Sequence, residues 1–151
     1  MFVEFNNFSY YLTGLIEGDG SIIVPRQIRD AKGRKKYPSI QIVFNAKDFP
    51  LALIIQKILK HCILQKKKNV NAYVLFINNL DGISLLVHLL NGKMRTPKIF
   101  LLYRLIEWLE LNGHPPIDKK GLDLSSFSLN SWLTGFIDAE GHFTVRVTQP
   151  G

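Results

Sequence analysis

The apolar and polar positions of this chain fall into short, alternating elements. YYLTGLIEG reads as an apolar helix over roughly residues 8–18, with Asn7 or Ser9 available as its cap. GSIIVPRQ, at residues 20–27, is β-rich, and IRDAKGRKK after it reads as a polar, basic turn region. YPSIQIVFN alternates, with Ile40, Ile42 and Phe44 on one face and Ser39, Gln41, Val43 and Asn45 on the other. That pattern predicts an antiparallel strand with one face in the core and one open to a polar partner. Asp48 is placed to cap a second helix running to about His61, and ILQKKKNVNAYVLFIN reads as a hairpin with Lys66, Lys67 and Lys68 near its turn. LDGISLLVHLL is a third helix closed by Asn91-Gly92. Thr96-Pro97 opens a fourth with a cap and a proline at its first position, and Gly113 ends it. HPPIDKKGLDLSSFS is a linker, followed by another helix and a strand, HFTVRVTQ.

The expected order is therefore α-β-β-α-β-β-α-α, then α-β again. This is an α+β chain with one complete unit at 1–113, a linker at 114–127 and the start of a second unit at 128–151. The return of the first helix is close. Leu12-Thr13-Gly14-Leu15-Ile16-Glu17-Gly18-Asp19-Gly20 aligns with Leu133-Thr134-Gly135-Phe136-Ile137-Asp138-Ala139-Glu140-Gly141, identical at five of nine positions and 121 residues away. Gly14 and Gly18 are four apart, as are Gly135 and Ala139, so each pair shares a helix face. Small residues there let two backbones approach closely, and the two copies are expected to pack about a pseudo-two-fold axis.

Such packing brings Asp19 and Glu140, the eighth residues of the two copies, toward each other. An acid at a helix C-terminus opposes the macrodipole by about 0.3–1 kcal/mol, and two neighbouring carboxylates repel unless cations lie between them. Mg2+ suits such oxygen donors, since it commonly takes one or two carboxylates together with substrate phosphate. Metals held this way activate water and stabilise the leaving oxygen in phosphodiester hydrolysis.

Composition narrows the partners. The chain has 151 residues, 46% of them hydrophobic, which is enough for a core. A net charge of +7 favours a polyanion, with nucleic acid first. No apolar run reaches about 18 residues, so no membrane span is expected. MFVEFNNFSYY carries an acid and no arginine cluster, unlike a signal peptide or an import presequence. The single Cys62 leaves no internal disulfide and no cysteine-based zinc site, and His61, His88, His114 and His142 have no metal-ligand spacing.

The repeated nonapeptide resembles the LAGLIDADG homing endonucleases, particularly those encoded in fungal mitochondrial introns. The resemblance implies a saddle of two αββαββα halves, each an antiparallel sheet with helices on one face, lying on double-stranded DNA with the motif helices paired at the centre. By the same resemblance the metal-binding acids are Asp19 and Glu140, joined by the carbonyls of Gly18 and Ala139, with Mg2+, or Mn2+ or Ca2+ in its place. Glu17 and Asp138 look like interface residues, with Gly14, Gly18, Gly135 and Ala139 forming the helix contact. In LLNGKMRTPK, Lys93 is the candidate for the catalytic lysine of the family, and Arg95 and Lys98 read as phosphate contacts or surface charges. The expected DNA-reading residues are Ser39, Gln41 and Asn45, with Arg26, Gln27 and Arg29 extending the first strand and Gln65 and Lys67 in the second hairpin. The implied activity is double-strand cleavage at a long specific site, leaving short 3′ extensions. The alternatives are an intron maturase that binds RNA on the same scaffold and a DNA-binding protein without catalysis. A complete second half needs roughly another hundred residues, so a second polypeptide supplying it is the expected partner. Mitochondrial location follows from the resemblance alone.

Overall fold

The computed structural model describes residues 2–139, and the side chains of residues 6–139. Glu140, Gly141, His142 and the expected strand through Gln149 lie outside the described residues. The elements are α1 (Phe2–Asp19), β1 (Gly20–Ile23), β2 (Ser39–Asn45), α2 (Phe49–Leu59), β3 (Ile63–Lys66), β4 (Ala72–Ile77), α3 (Leu80–Leu90), α4 (Ile99–Leu111) and α5 (residues 132–139). The four strands form one antiparallel sheet in the order β1-β2-β4-β3.

Register and alternation give the sheet two different faces. Ile40 pairs with Ile77, Ile42 with Leu75 and Phe44 with Tyr73, and these residues face the helices. There Ile40, Ile42, Phe44, Leu75 and Ile77 join Leu12, Leu15 and Ile16 of α1, Ala52, Ile55 and Leu59 of α2, Leu86 and Leu90 of α3, and Leu102, Leu105 and Ile106 of α4 in one buried cluster. Gln41 pairs with Ser21 and Phe76, and Val43 with Val74, so the opposite face carries Ser21, Ile23, Ser39, Gln41, Val43, Asn45, Ile63, Gln65 and Phe76.

Four boundaries differ from the sequence expectation, each for a local reason. The first helix begins at Phe2, so Asn7 and Ser9 lie inside it. The Ser9 carbonyl instead accepts a bond from the Thr13 hydroxyl at 2.7 Å, the usual back-bond of a threonine within a helix. β1 stops at Ile23 rather than residue 27. Pro25 has no N–H for a ladder, and Arg26, Gln27 and Arg29 sit in an exposed loop. That loop closes on itself through an Arg29–Lys35 bridge and an Asp30 carboxylate that accepts from the Lys32 and Arg34 amides at 2.9 Å each. Asp48 stands at the N-cap of α2 without a side-chain capping bond. Asn45 caps the preceding 3-10 turn instead. The fourth helix begins at Ile99 after a turn in which the Thr96 and Pro97 carbonyls accept from Ile99 and Phe100.

Candidate active site at the crossing of the motif helices

Helices α1 and α5 cross in backbone contact. A Cβ on Gly14 would lie 2.0 Å from the Trp132 carbonyl oxygen, and one on Gly135 would lie 2.0 Å from the Tyr11 carbonyl oxygen. Nearer the acid ends, a Cβ on Gly18 would meet that of Ala139 at 2.7 Å. The four small residues of the repeat are thus the contact itself.

The sixth motif residues bind across this crossing. Glu17 is buried, and its carboxylate accepts from the amides of Arg95 (2.8 Å) and Thr96 (2.7 Å), from the Thr96 hydroxyl, and from Trp132 Nε1 at 2.9 Å. On the other side Tyr11 Oη donates to Asp138 Oδ2 at 2.8 Å. Burial first, and then the bond to Asp138, push the Tyr11 phenol well above its usual range, so it remains a donor.

Asp19 ends α1, half-buried, and lines a cleft of about 490 Å3 together with Lys47, Asp48, Leu51, Ile137, Asp138 and Ala139. Lys98 reaches the same helix end. Its ammonium donates to the carbonyls of Ile16 and Glu17 at 3.1 Å each and of Gly20 at 2.7 Å. A cation there satisfies the orphan carbonyls of the last turn and offsets the negative end of the dipole. Lys93 does not come here. Its ammonium lies 5.5 Å from the centre of the Tyr10 ring, nine residues and roughly 13 Å back along the helix from Asp19. Burial, and then the neighbouring Lys120, lower its pKa. Among the described residues, no three His, Cys, Asp or Glu side chains are gathered closely enough to hold a metal ion.

Arg95 is not a surface charge either. Its side chain is 8% exposed and clasps the linker: it donates to the Ser125 carbonyl at 2.7 Å, pairs with Asp123 at 3.1 Å and lies over the rings of Phe127 and Trp132. Further stitches run from Tyr103 to the Lys120 carbonyl and from the Asp123 amide to Met94. Burial raises the Asp123 pKa, but the bonds from Ser125, the charge of Arg95 and the bond from Asn130 together hold it below its usual value. A carboxylate lowered on folding contributes stability that is complete above its unfolded pKa, about 3.9, and is lost as pH falls through the folded value. Limited proteolysis is therefore expected to cut within residues 114–131 increasingly as pH drops below about 4, and Asp123→Asn should remove most of that pH dependence.

On the sheet, Ser39, Gln41, Asn45 and Gln65 share the helix-free face, while Lys67 is exposed in the β3–β4 turn. The sequence left Tyr11 and Trp132 unassigned and offered Arg95 and Lys98 only as phosphate contacts or surface charges, whereas all four contribute to the crossing or its supports. Each acts through partners tens of residues away, although Tyr11 and Trp132 occupy matching positions directly before the two nonapeptides.

This arrangement is that of a known family. The LAGLIDADG endonuclease model matches residues 12–109, and the chain belongs to that family. It is 34% identical over 158 residues to the intron-encoded DNA endonuclease aI3 of Saccharomyces cerevisiae, covering 96% of this chain and 38% of the relative. It is 28% identical to the intron-encoded RNA maturase bI4 of the same organism, over 89% of this chain and 19% of that protein. The chain thus spans well under half the length of these relatives. Among solved structures, the homing endonuclease I-CvuI, crystallised with I-CreI target DNA and 2 mM Mg, superposes with a TM-score of 0.59 at 15% identity, over 68% of this chain and 66% of that one.

Proposed function

We propose that this chain carries one cleavage centre, and the opening helix of a second, of a site-specific double-strand DNA endonuclease. The observation that carries this reading is the glycine crossing of α1 and α5, which sets Asp19 in a cleft beside the helix-free sheet face. Asp19 and Glu140 are the paired acids. The Asp19 carboxylate and the carbonyls of Gly18 and Ala139, at the negative ends of their helices, are the hard oxygen donors that Mg2+ prefers, and Mn2+ or Ca2+ fits the same set. A divalent ion bound there supplies Lewis-acid stabilisation and a more acidic water. Lys98 takes the role first given to Lys93, placing a fixed positive charge at the acid end. Ser39, Gln41, Asn45 and Gln65 read base edges, while Arg26, Gln27, Arg29 and Lys67 contact DNA from their exposed loops and turn.

The partner that completes the site is a second half-domain. Leu12 and Ile16 are fully buried beneath the sheet, but their counterparts on α5, Leu133 and Ile137, are 36% and 56% exposed. A second sheet covering that face would bury them as the first sheet buries Leu12 and Ile16. A maturase role on intron RNA is a second reading, favoured by the relative bI4. Origin in a mitochondrial intron accords with the intron-encoded relatives. The test is to express the chain with its completing half and select cleavable sites from randomised duplex DNA. Mg2+-dependent linear products that vanish with EDTA are expected. Intron RNA binding without any cleavage would overturn the endonuclease reading.

A further inference from the structure

Resting on the DNA reading above, we propose that the β1–β2 loop is a preorganised arm for the DNA backbone, and that Asp30 is the positioning residue that holds its shape. Residues 26–36 carry six cations, Arg26, Arg29, Lys32, Arg34, Lys35 and Lys36, and Asp30 is the one acid between Asp19 and Asp48. By charge alone, an acid in the middle of a basic loop works against a polyanion. The geometry gives it another task.

Every bond at the tip of the loop converges on Asp30. Its Oδ1 accepts from the Lys32 and Arg34 amides at 2.9 Å each, and its Oδ2 from Arg34 Nε at 3.0 Å. Its own amide donates to the Arg34 carbonyl at 2.8 Å, and its carbonyl accepts from the Gly33 amide at 3.0 Å. The turn needs the φ of +79° that Gly33 supplies. Arg29 Nη1 then donates to the Gly33 carbonyl at 2.8 Å, and the Lys36 amide to the Ile28 carbonyl at 2.9 Å. The bond from the Arg34 amide, above all, keeps the Asp30 carboxyl below its usual range, so it stays ionised at neutral pH. The base of the arm is moored to the helix layer. The Tyr37 ring meets that of Trp108 in α4 edge-on at 6.0 Å, and Lys35 Nζ lies 5.5 and 5.9 Å from the two ring centres. Arg26, Lys32 and Lys36 are exposed on this frame. A loop already in its binding shape loses less freedom when it meets phosphates.

Two substitutions that remove the same charge separate shape from electrostatics. Asp30→Asn keeps an acceptor for the Lys32 and Arg34 amides, whereas Asp30→Ala keeps none. In the chain assembled with its completing half, the Kd for the selected duplex is measured at one salt concentration in EDTA. Asp30→Ala is expected to bind about five- to tenfold more weakly than Asp30→Asn. Equal affinity of the two variants, or tighter binding by Asp30→Ala than by the parent, would show that Asp30 acts through its charge alone and would overturn the proposal. Hydrogen exchange without DNA is expected to quicken in Asp30→Ala at residues 28–36 and nowhere else. Quickening across the sheet and helices as well would make Asp30 a support of the whole fold, and the proposal would fall. A parent enzyme that binds no duplex would instead remove the endonuclease reading itself.

Discussion

Asp19→Asn is expected to lower DNA cleavage by more than about a hundredfold while target affinity stays within a few-fold of the parent. Losing an outer partner of a metal site already costs about 10–100-fold, so losing a carboxylate ligand exceeds that range. Asparagine keeps the shape and one acceptor oxygen but removes the charge on which a hard cation depends. In the proposed reading binding is spared, because the phosphate and base contacts assigned to the sheet face and the basic loops do not include Asp19. Lys98 still binds the carbonyls of the last turn, so the helix end keeps its form. The measurement pairs the rate of plasmid linearisation with a gel-shift titration at one salt concentration. Asp81→Asn, an exposed acid in the first turn of α3, serves as the control and should cut normally. Parental cleavage by Asp19→Asn would remove this residue from the active site.

Gly135→Ala is expected to destabilise the chain by about 1–3 kcal/mol or more, the range of overpacked cores. Within an ordinary helix the change should stabilise, because alanine is the better helix former by about 1 kcal/mol. Here the new methyl group would stand 2.0 Å from the Tyr11 carbonyl oxygen and 3.0 Å from the Leu15 amide nitrogen, and neither is a side chain that can turn away. The helices must separate. Separation strips Trp132 from Glu17 and exposes its ring, so the urea midpoint should fall and tryptophan emission should shift to the red. Gly14→Ala meets the Trp132 carbonyl oxygen at the same 2.0 Å and should behave alike, whereas Gly121→Ala meets nothing within 4 Å and should leave the midpoint unchanged or slightly raised. Parental stability in both crossing variants would show that the contact is looser than described.

Much of this architecture was legible in the sequence because it is written in local periods. The alternation in Ser39–Asn45 gave the two faces of β2, and register pairing then carried it across the sheet. The glycines at intervals of four gave the helix contact. Less legible was anything decided by a turn. Lys93 and Lys98 are five residues apart, and only the path of the chain around Gly92, with its φ of +86°, and through the Thr96 turn determines which of them reaches α1's end. Arg95 likewise carries nothing that marks it as buried, because its partners Asp123, Ser125 and Phe127 lie 28 to 32 residues further on, in a stretch whose polar composition reads as linker, and Trp132 lies beyond it in α5.

The glycine crossing also bears on how such a protein could acquire new targets. The spacing between the two motif helices is fixed by the thickness of bare main chain, with no side chain between them to be exchanged at Gly14 and Gly135. The residues that face outward from the strands take no part in that spacing. If Ser39, Gln41 and Gln65 read base edges as proposed, substitutions there can accumulate and change recognition while the helix crossing keeps its setting.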